Sequence, residues 1–354
     1  MKKFLFLSII VIGMLNNTNA VKTITVSSPN NMLKAEIISD NGFFTYRVLY
    51  KDDVVIDYSK LGLILENDDF FSDLKIKKIE KAIKIHDEYQ LLNEKKSFCT
   101  YDANRQVLKV SNKQNEEMEI IFQVSNDGVA FSYKLNGNGN DIKKINIEKS
   151  SFHFPSGTKA WLHPHTNAQT GWCNVEPCYE SHYSQDIEAG TPAPEKAGWS
   201  FPALFKTNSN WVLITESGVG PTYCGSRLAQ FSPDREYFIA FPQAGETTMK
   251  DAPVFPQSVL PWQTPWRIII VGNLGTIVES TLVTDLAYPQ QVSNTDFVKP
   301  GKASWSWILY KDESVIYDVQ KQYIDFASWM GWDYCLIDAD WHIKIGYERL
   351  QQLI

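Results

Sequence analysis

Between residue 21 and about residue 289, apolar and polar positions alternate in short runs. The alternation is clearest in residues 22–28 (KTITVSS), 32–39 (MLKAEIIS), 43–51 (FFTYRVLYK) and 52–58 (DDVVIDY). It returns in residues 117–126, 128–135 and 211–218. A period of two puts successive side chains on opposite faces of an extended chain, so each run predicts a strand. Asp40-Asn41-Gly42 and Asn126-Asp127-Gly128 lie between such runs and predict hairpin turns. Residues 266–272 (WRIIIVG) predict a buried strand. This texture predicts one large antiparallel β-sandwich, bigger than a simple immunoglobulin-like unit of about 100 residues.

Two stretches depart from that pattern. Residues 161–202 carry Trp, His, Pro, Cys and acids with little periodicity, and are expected to be a long functional loop or set of loops. After Lys299-Pro300-Gly301-Lys302 the periods change. Residues 303–309 (ASWSWIL) predict a strand, and residues 314–331 predict an amphipathic helix. Val315, Val319, Tyr323, Phe326 and Met330 form its apolar stripe, with Gly331 as C-cap. Residues 334–341 (YCLIDADW) predict a strand ending in acids, and residues 346–354 start a second helix. Strand, helix, strand, helix opens a parallel α/β domain, and two strands cannot close a barrel. The chain is therefore expected to be the front part of something longer. A small αβ appendage docked on the sandwich is the competing arrangement.

The N-terminus adds a destination. Lys2 and Lys3 precede the apolar run 4–15, and residues 16–20 end in the small Ala20. The run is too short to span a bilayer and is flanked like a secretory signal. Residues 1–20 are expected to be removed, leaving an exported chain with no membrane insertion. No cysteine sits near that point to carry a lipid. The formal net charge is −7 and no dense basic block occurs, which argues against nucleic acid as partner. The five cysteines cannot all pair within one chain, although Cys173 and Cys178 are close enough to bridge a loop. Aromatic residues reach 13%, with 11 Trp and 16 Tyr, and flat apolar faces of this kind suit sugar rings as well as strands. No phosphate loop, dinucleotide fingerprint, HExxH or serine-nucleophile elbow is present.

Several stretches in fixed order resemble glycoside hydrolase family 97. They are residues 159–180 (KAWLHPHTNAQTGWCNVEPCYE), 197–206 (AGWSFPALFK), 221–228 (PTYCGSRL), 265–272 (PWRIIIVG) and 282–289 (LVTDLAYP), followed by KPGKASWSWI and WDYCLIDADW. The resemblance implies an exo-acting α-glucosidase or α-galactosidase that acts on oligosaccharides. It implies a β-super-sandwich, then a catalytic (β/α)8 barrel, then a small β domain. The organisation expected here is a signal at 1–20, the sandwich at 21–290, a linker at 291–302 and the first two βα units at 303–354. The family's catalytic carboxylates come from later barrel strands, so no catalytic residue is expected within this chain. ASWSWI and CLIDADW resemble the retaining, α-galactosidase-like branch more than the inverting one. A periplasmic enzyme is the implied setting. A non-catalytic carbohydrate-binding sandwich is the alternative.

The resemblance makes Glu180 a ligand for Ca2+, which takes six to eight hard oxygens. Glu176 is a weaker neighbour. Asp338, Asp340 and Trp341 close the second barrel strand and are expected to contact substrate, since strand ends carry the chemistry in such barrels. Alternation puts both aspartates on one face. A carboxylate at a helix N-terminus is the structural alternative. Trp305 and Trp307 share a face of the first strand, opposite Ser304 and Ser306. His163 and His165 have an i, i+2 spacing that suits loop hydrogen bonding, sugar contact or, less readily, metal. Trp161 and Trp172 can serve as platforms or core. Arg227 and Arg267 are expected to anchor the loop by ion pairs or to contact substrate.

Overall fold

The computed structural model describes residues 21–92, 94–167, 181–246 and 253–354. Two compact units divide the chain, Met1–Tyr288 and Pro289–Ile354.

The first unit opens with an antiparallel meander of β1 (Lys22–Ser27), β2 (Leu33–Asp40), β3 (Phe43–Tyr50) and β4 (Asp53–Leu61). The β2–β3 turn is the predicted one, with positive φ at Asn41 (48°) and Gly42 (80°). A short hairpin, β5 (Leu63–Leu65) and β6 (Asp69–Phe70), follows. Next, β7 (Lys75–Ile79) and β8 (Ile83–Gln90) both pair with β9 (Phe98–Ser111), and β9 pairs with β10 (Glu117–Ser125). The 21-residue β11 (Gly128–Glu148) pairs with β10 at one end and β5 at the other.

Neither Asn126 nor Asp127 takes positive φ in the β10–β11 turn. Gly128 is required there for proximity instead. A Cβ on it would lie 2.4 Å from Leu282 Cδ2 and 2.8 Å from the Ile269 carbonyl oxygen.

The remaining strands are β12 (Ser151–His153), β13 (Lys159–Pro164), β14 (Ser184–Glu188), β15 (Trp199–Thr207) and β16 (Asn210–Ser217). They are followed by β17 (Arg227–Leu228), β18 (Glu236–Ala240), β19 (Gln257–Gln263) and β20 (Trp266–Gly272). The stretch expected to be loop from 161 to 202 thus contains β14, most of β13 and the start of β15. Its mixed composition hid strands whose less buried positions carry His, Ser and Pro.

Packing explains the sequence pattern. Phe44, Tyr46, Phe122, Phe131, Phe152, Phe154, Phe205 and Tyr237 are buried in one continuous core. Tyr46 lies 5.1 Å from Phe131, and Phe131 lies 5.4 Å from Phe122. In β20, Ile269 and Val271 enter this core, while Ile268 and Ile270 enter a second cluster. Ile277, Leu282 and Leu286 close that second cluster. They belong to or adjoin α1 (Leu274–Glu279) and α2 (Leu282–Asp285). A strand covered on both faces reads as a continuous apolar run.

In the second unit, β21 (Ala303–Trp305) and β22 (Tyr334–Leu336) pair in parallel. Between them run α3 (Trp307–Tyr310) and α4 (Tyr317–Trp329). This is a βαβ unit; among the described residues no barrel closes. β21 is shorter than expected because the chain turns helical at Trp307. Helix α4 ends in a Schellman motif: Gly331 (φ 63°) donates to the Ser328 carbonyl and Trp332 to the Ala327 carbonyl. Trp332 packs edge-on against Phe326, 5.4 Å away. The buried face of α4 differs from the predicted stripe. Gln320 and Ala327 are buried, whereas Phe326 and Met330 are exposed. Two short helices follow, α5 (Trp341–Lys344) and α6 (Tyr347–Gln351).

Candidate functional site

Two constellations carry the polar chemistry, one in each unit. In the sandwich, β13 pairs with β15 so that His163 stands opposite Ser200. The chain then leaves β13, and the His165 amide donates to the Gly198 carbonyl at 2.8 Å. Both imidazoles therefore meet one hydroxyl. His165 Nδ1 lies 2.8 Å and His163 Nδ1 3.5 Å from Ser200 Oγ. Arg227 Nη1 lies 2.6 Å from His165 Nε2. Guanidinium has only donors, so Nε2 accepts and the Nδ1 hydrogen points to Ser200. The Ser181 amide donates to His163 Nε2 at 3.3 Å, fixing that ring in the same sense.

Behind these rings lie buried charges. Arg227 pairs with Glu246 through both terminal nitrogens, one of them at 2.7 Å. Burial alone would raise the Glu246 carboxyl, but its neighbours His165 and Arg227 and the Gln243 amide hold it down at about 2. Arg267 is 1% exposed and clasps Glu148 at 2.8 Å and 2.6 Å. Burial would raise Glu148; the Arg267 charge outweighs it and keeps the carboxyl below its ordinary range. Arg267 also pairs with Glu216, which faces it across β16 and β20. Glu216 accepts from the Ser226 amide at 2.8 Å and hydroxyl at 2.6 Å. Burial pushes the neighbouring Cys224 thiol up to about 12.

Together His163, His165, Ser200, Glu216, Ser226 and Tyr183 border a cavity of about 480 Å³, with Phe201 beside them. Anchored carboxylate, hydroxyls and aromatic faces are groups that hold a sugar ring. Of the two roles expected for Arg227 and Arg267, ion pairing is the one observed. Trp161 packs on Trp211, 5.0 Å away.

The second constellation lies at the ends of β21 and β22. Trp305 Nε1 donates to Asp338 Oδ2 at 2.9 Å, and the Ala339 amide donates to Asp338 Oδ1 at 2.8 Å. Trp305 stacks on Trp307 at 5.4 Å, and Lys311 Nζ lies 4.0 Å from the Trp307 ring centre. Strand β22 ends at Leu336, so alternation does not carry through to Asp338 and Asp340. Asp340 instead takes a left-handed conformation (φ 65°) at the N-cap of α5, without a side-chain capping bond. Trp341 packs edge-on against Tyr347, 5.1 Å away. Both aspartates are half-buried.

Glu176, Glu180, Trp172, Cys173 and Cys178 lie outside the described residues, as does the expected export signal. Among the described residues no three His, Cys, Asp or Glu side chains converge to hold a metal. His163 and His165 spend their ring nitrogens on protein partners. The described donors thus do not make a calcium site by themselves. Cys99, Cys224 and Cys335 are free thiols. No described helix is long and apolar enough to cross a membrane. Sequence reasoning missed Glu148, Ser200, Glu216 and Glu246. The signal for Glu216 was present as a lone acid closing an apolar strand, VLITES, with an equally isolated Arg267 in WRIII.

Known proteins share this architecture. The glycosyl-hydrolase 97 N-terminal family pattern matches residues 26–289. "Probable retaining alpha-galactosidase" of Streptomyces bingchenggensis (strain BCW-1) is 27% identical over 325 residues, 90% of this chain and 47% of that protein. "Retaining alpha-galactosidase" of Bacteroides thetaiotaomicron is 23% identical over 391 aligned positions, 99% of this chain and 55% of that protein. A crystal structure of a beta-arabinopyranosidase superposes with a TM-score of 0.83 at 35% identity, covering 94% of this chain and 53% of that one. The chain spans about half the length of the curated relatives it matches. Since the family pattern covers most of its length, the chain belongs to glycosyl-hydrolase family 97.

Proposed function

We propose that the protein to which this chain belongs is an exported exo-acting hydrolase that removes terminal α-linked galactose, or a sugar of the same ring configuration, from oligosaccharides. The observation that carries the reading is the Trp305–Asp338 hydrogen bond at the C-terminal ends of two parallel strands. Such strand ends are where (β/α)8 enzymes keep their chemistry. Both oxygens of Asp338 are held, so its orientation is fixed before a ligand arrives. A carboxylate in that state accepts hydrogen bonds from sugar hydroxyls without reordering. Trp341 offers an aromatic face nearby in sequence, and the His163–Ser200–Glu216 cavity gives the sandwich a sugar-compatible wall of its own.

The names of the curated relatives favour α-galactoside over α-glucoside and retention over inversion. The arabinopyranosidase fits the same choice: β-L-arabinopyranose is the α-D-galactopyranose ring without its exocyclic hydroxymethyl group. A retaining pair of carboxylates stands about 5–5.5 Å apart. That pair is assigned to the barrel half outside this chain. Calcium is part of the proposal through Glu180 and the family resemblance alone. When bound, the ion would supply positive charge to an oxygen of the substrate or a water.

The test compares the longer gene product with this chain on p-nitrophenyl α-galactoside, α-glucoside and β-L-arabinopyranoside, each with calcium and with chelator. The expected result is hydrolysis by the longer protein, fastest on a galactose-configured ring and slowed by chelator. The first-formed sugar should retain its anomeric configuration by proton NMR. A preference for glucoside, or an inverted product, overturns the substrate class. Hydrolysis by the 354-residue chain alone overturns the placement of the catalytic pair.

A further inference from the structure

At the end of the sandwich beside the Asn41-Gly42 turn lies a cleft of about 670 Å³, away from the strands that carry the histidine cavity. One wall is β7 and the other holds Lys22 and Ser39, which are paired across β1 and β2. We propose that this cleft binds a single strand of carboxylated polysaccharide.

The charge is the first argument. The chain carries a formal net charge of −7, yet residues 75–84 (KIKKIEKAIK) hold five lysines and one acid. Lys22, Lys75, Lys77 and Lys78 line the cleft, with no acid among its lining residues. Of the nearby acids, Asp40, between the lining residues Ser39 and Gly42, has no ion pair among the described residues, and Glu80 and Asp73 are engaged. Glu80 lies 3.5 Å from Lys78 and 3.4 Å from Lys109, and Asp73 lies 2.7 Å from Lys113. Lys22, Lys75 and Lys77 have no ion-pair partner among the described residues, so the cleft presents an excess of positive charge over the single unpaired Asp40 beside it.

The backbone is the second argument. The register of β7 against β9 shifts between Ile76 and Lys78, leaving Lys77 as an extra residue. A bulge of this kind re-aims side chains. Here Lys77 and Lys78 are both exposed while Ile76 and Ile79 stay half-buried. The cleft therefore has an apolar floor and a cationic rim. Among the described residues β7 pairs with β9 alone and β1 with β2 alone, so each has a free edge of amide and carbonyl groups. Sugar ring faces match the floor, carboxylates match the lysines, and hydroxyls match the free edges. Edge lysines also deter strand-to-strand pairing. That role requires neither Lys22 on the opposite wall nor an apolar floor between the walls. A bilayer or duplex nucleic acid is a broad anionic surface that the remaining acidic protein would repel, whereas one polysaccharide strand fits a cleft.

The site is independent of hydrolysis and is tested by binding. The probe is oligogalacturonate, titrated calorimetrically into the chain at low salt, with neutral dextran, dextran sulfate and phosphatidylglycerol vesicles as comparisons. Two variants are used, Lys75→Glu/Lys77→Glu and the milder Lys75→Gln/Lys77→Gln, each checked for an unchanged far-UV spectrum. The expected result is saturable binding of oligogalacturonate and none of dextran. Affinity should drop about tenfold or more in the charge-reversed variant, and salt should weaken it. The Gln variant should fall between the two. Three results overturn the proposal: no binding of oligogalacturonate, equal binding by the variants, or equal or tighter binding of dextran sulfate or vesicles.

Discussion

Replacing Arg267 by Met tests whether the buried charges behind the histidine cavity act as one unit. Arg267 is the sole cation within hydrogen-bonding distance of Glu148 among the described residues, and both are inaccessible to solvent. Methionine keeps most of the volume and removes the charge, leaving the buried Glu148 without a cation and with the hydroxyls of Tyr223, at 2.9 Å, and Ser150 as its side-chain hydrogen-bond partners. Breaking one side of a buried ion pair costs about 3–5 kcal/mol. For a unit of this size that is a fall of roughly 6–20 °C in Tm. The pH dependence carries the sharper test. With Arg267 present, Glu148 is held below the ordinary carboxylate range, so its contribution exists above about pH 4 and fades as pH falls. Without Arg267, burial raises the carboxyl, and the variant loses stability as pH rises. The gap between wild type and R267M must therefore widen from acid to neutral pH. Thermal unfolding followed by near-UV circular dichroism at pH 4 and pH 7 reads this directly. The double variant Arg267→Met/Glu148→Gln should recover much of the loss at pH 7. A single variant within about 1 kcal/mol of wild type, or a gap that does not change with pH, would refute the reasoning.

Four further outcomes are expected. Gly198→Ala should cost at least about 3 kcal/mol in urea unfolding, because Gly198 has φ 93° and a Cβ there would sit 2.0 Å from the Leu228 carbonyl oxygen. Gly157→Ala, at φ 79° in open space, should cost only about 1 kcal/mol. Burial, with the Asp127 charge nearby, raises Asp285 to about 6. A carboxyl raised in the folded state favours folding at acid pH and loses that advantage between about pH 4 and 6, so Asp285→Asn should flatten the decline in Tm measured across that range. Trp305→Phe removes the donor to Asp338 Oδ2. It should change the stability of the longer protein by no more than about 1.5 kcal/mol while lowering the kcat/KM of the proposed hydrolysis about tenfold or more.

The sandwich was legible because its strands obey a two-residue period and its turns carry residues suited to them. The β2–β3 turn was read for the right reason, since Asn41 and Gly42 both take positive φ. Gly128 was placed at a turn for the wrong one, since it is needed where Leu282 and Ile269 crowd the backbone. Tertiary proximity of that kind leaves no periodic trace. The same holds for the sandwich cavity. His163 and His165 could be singled out by spacing, but Ser200, Arg227 and Glu246 join them through strand register and loop return, over separations of tens of residues. Glu148 reaches Arg267 across 119 residues. A buried charge in a strand signals that a partner exists without saying which.

The second unit shows the opposite failure, in which a correct local period gives a misplaced face. The stripe Val315, Val319, Tyr323, Phe326, Met330 has helical spacing, and the helix forms, but its buried contacts run through Gln320 and Ala327. Gln320 donates to Ser306 Oγ and the Ser314 carbonyl, both at the turn after β21. The inner face is thus chosen by polar closure of that turn rather than by the apolar stripe. The stripe's far end is left exposed, and Trp329, Leu309 and Ile343 are exposed with it. Apolar surface on this scale in so small a unit calls for further packing partners. Two parallel strands and their crossover leave Leu309, Phe326, Trp329 and Met330 exposed among charged neighbours such as Asp318 and Lys321.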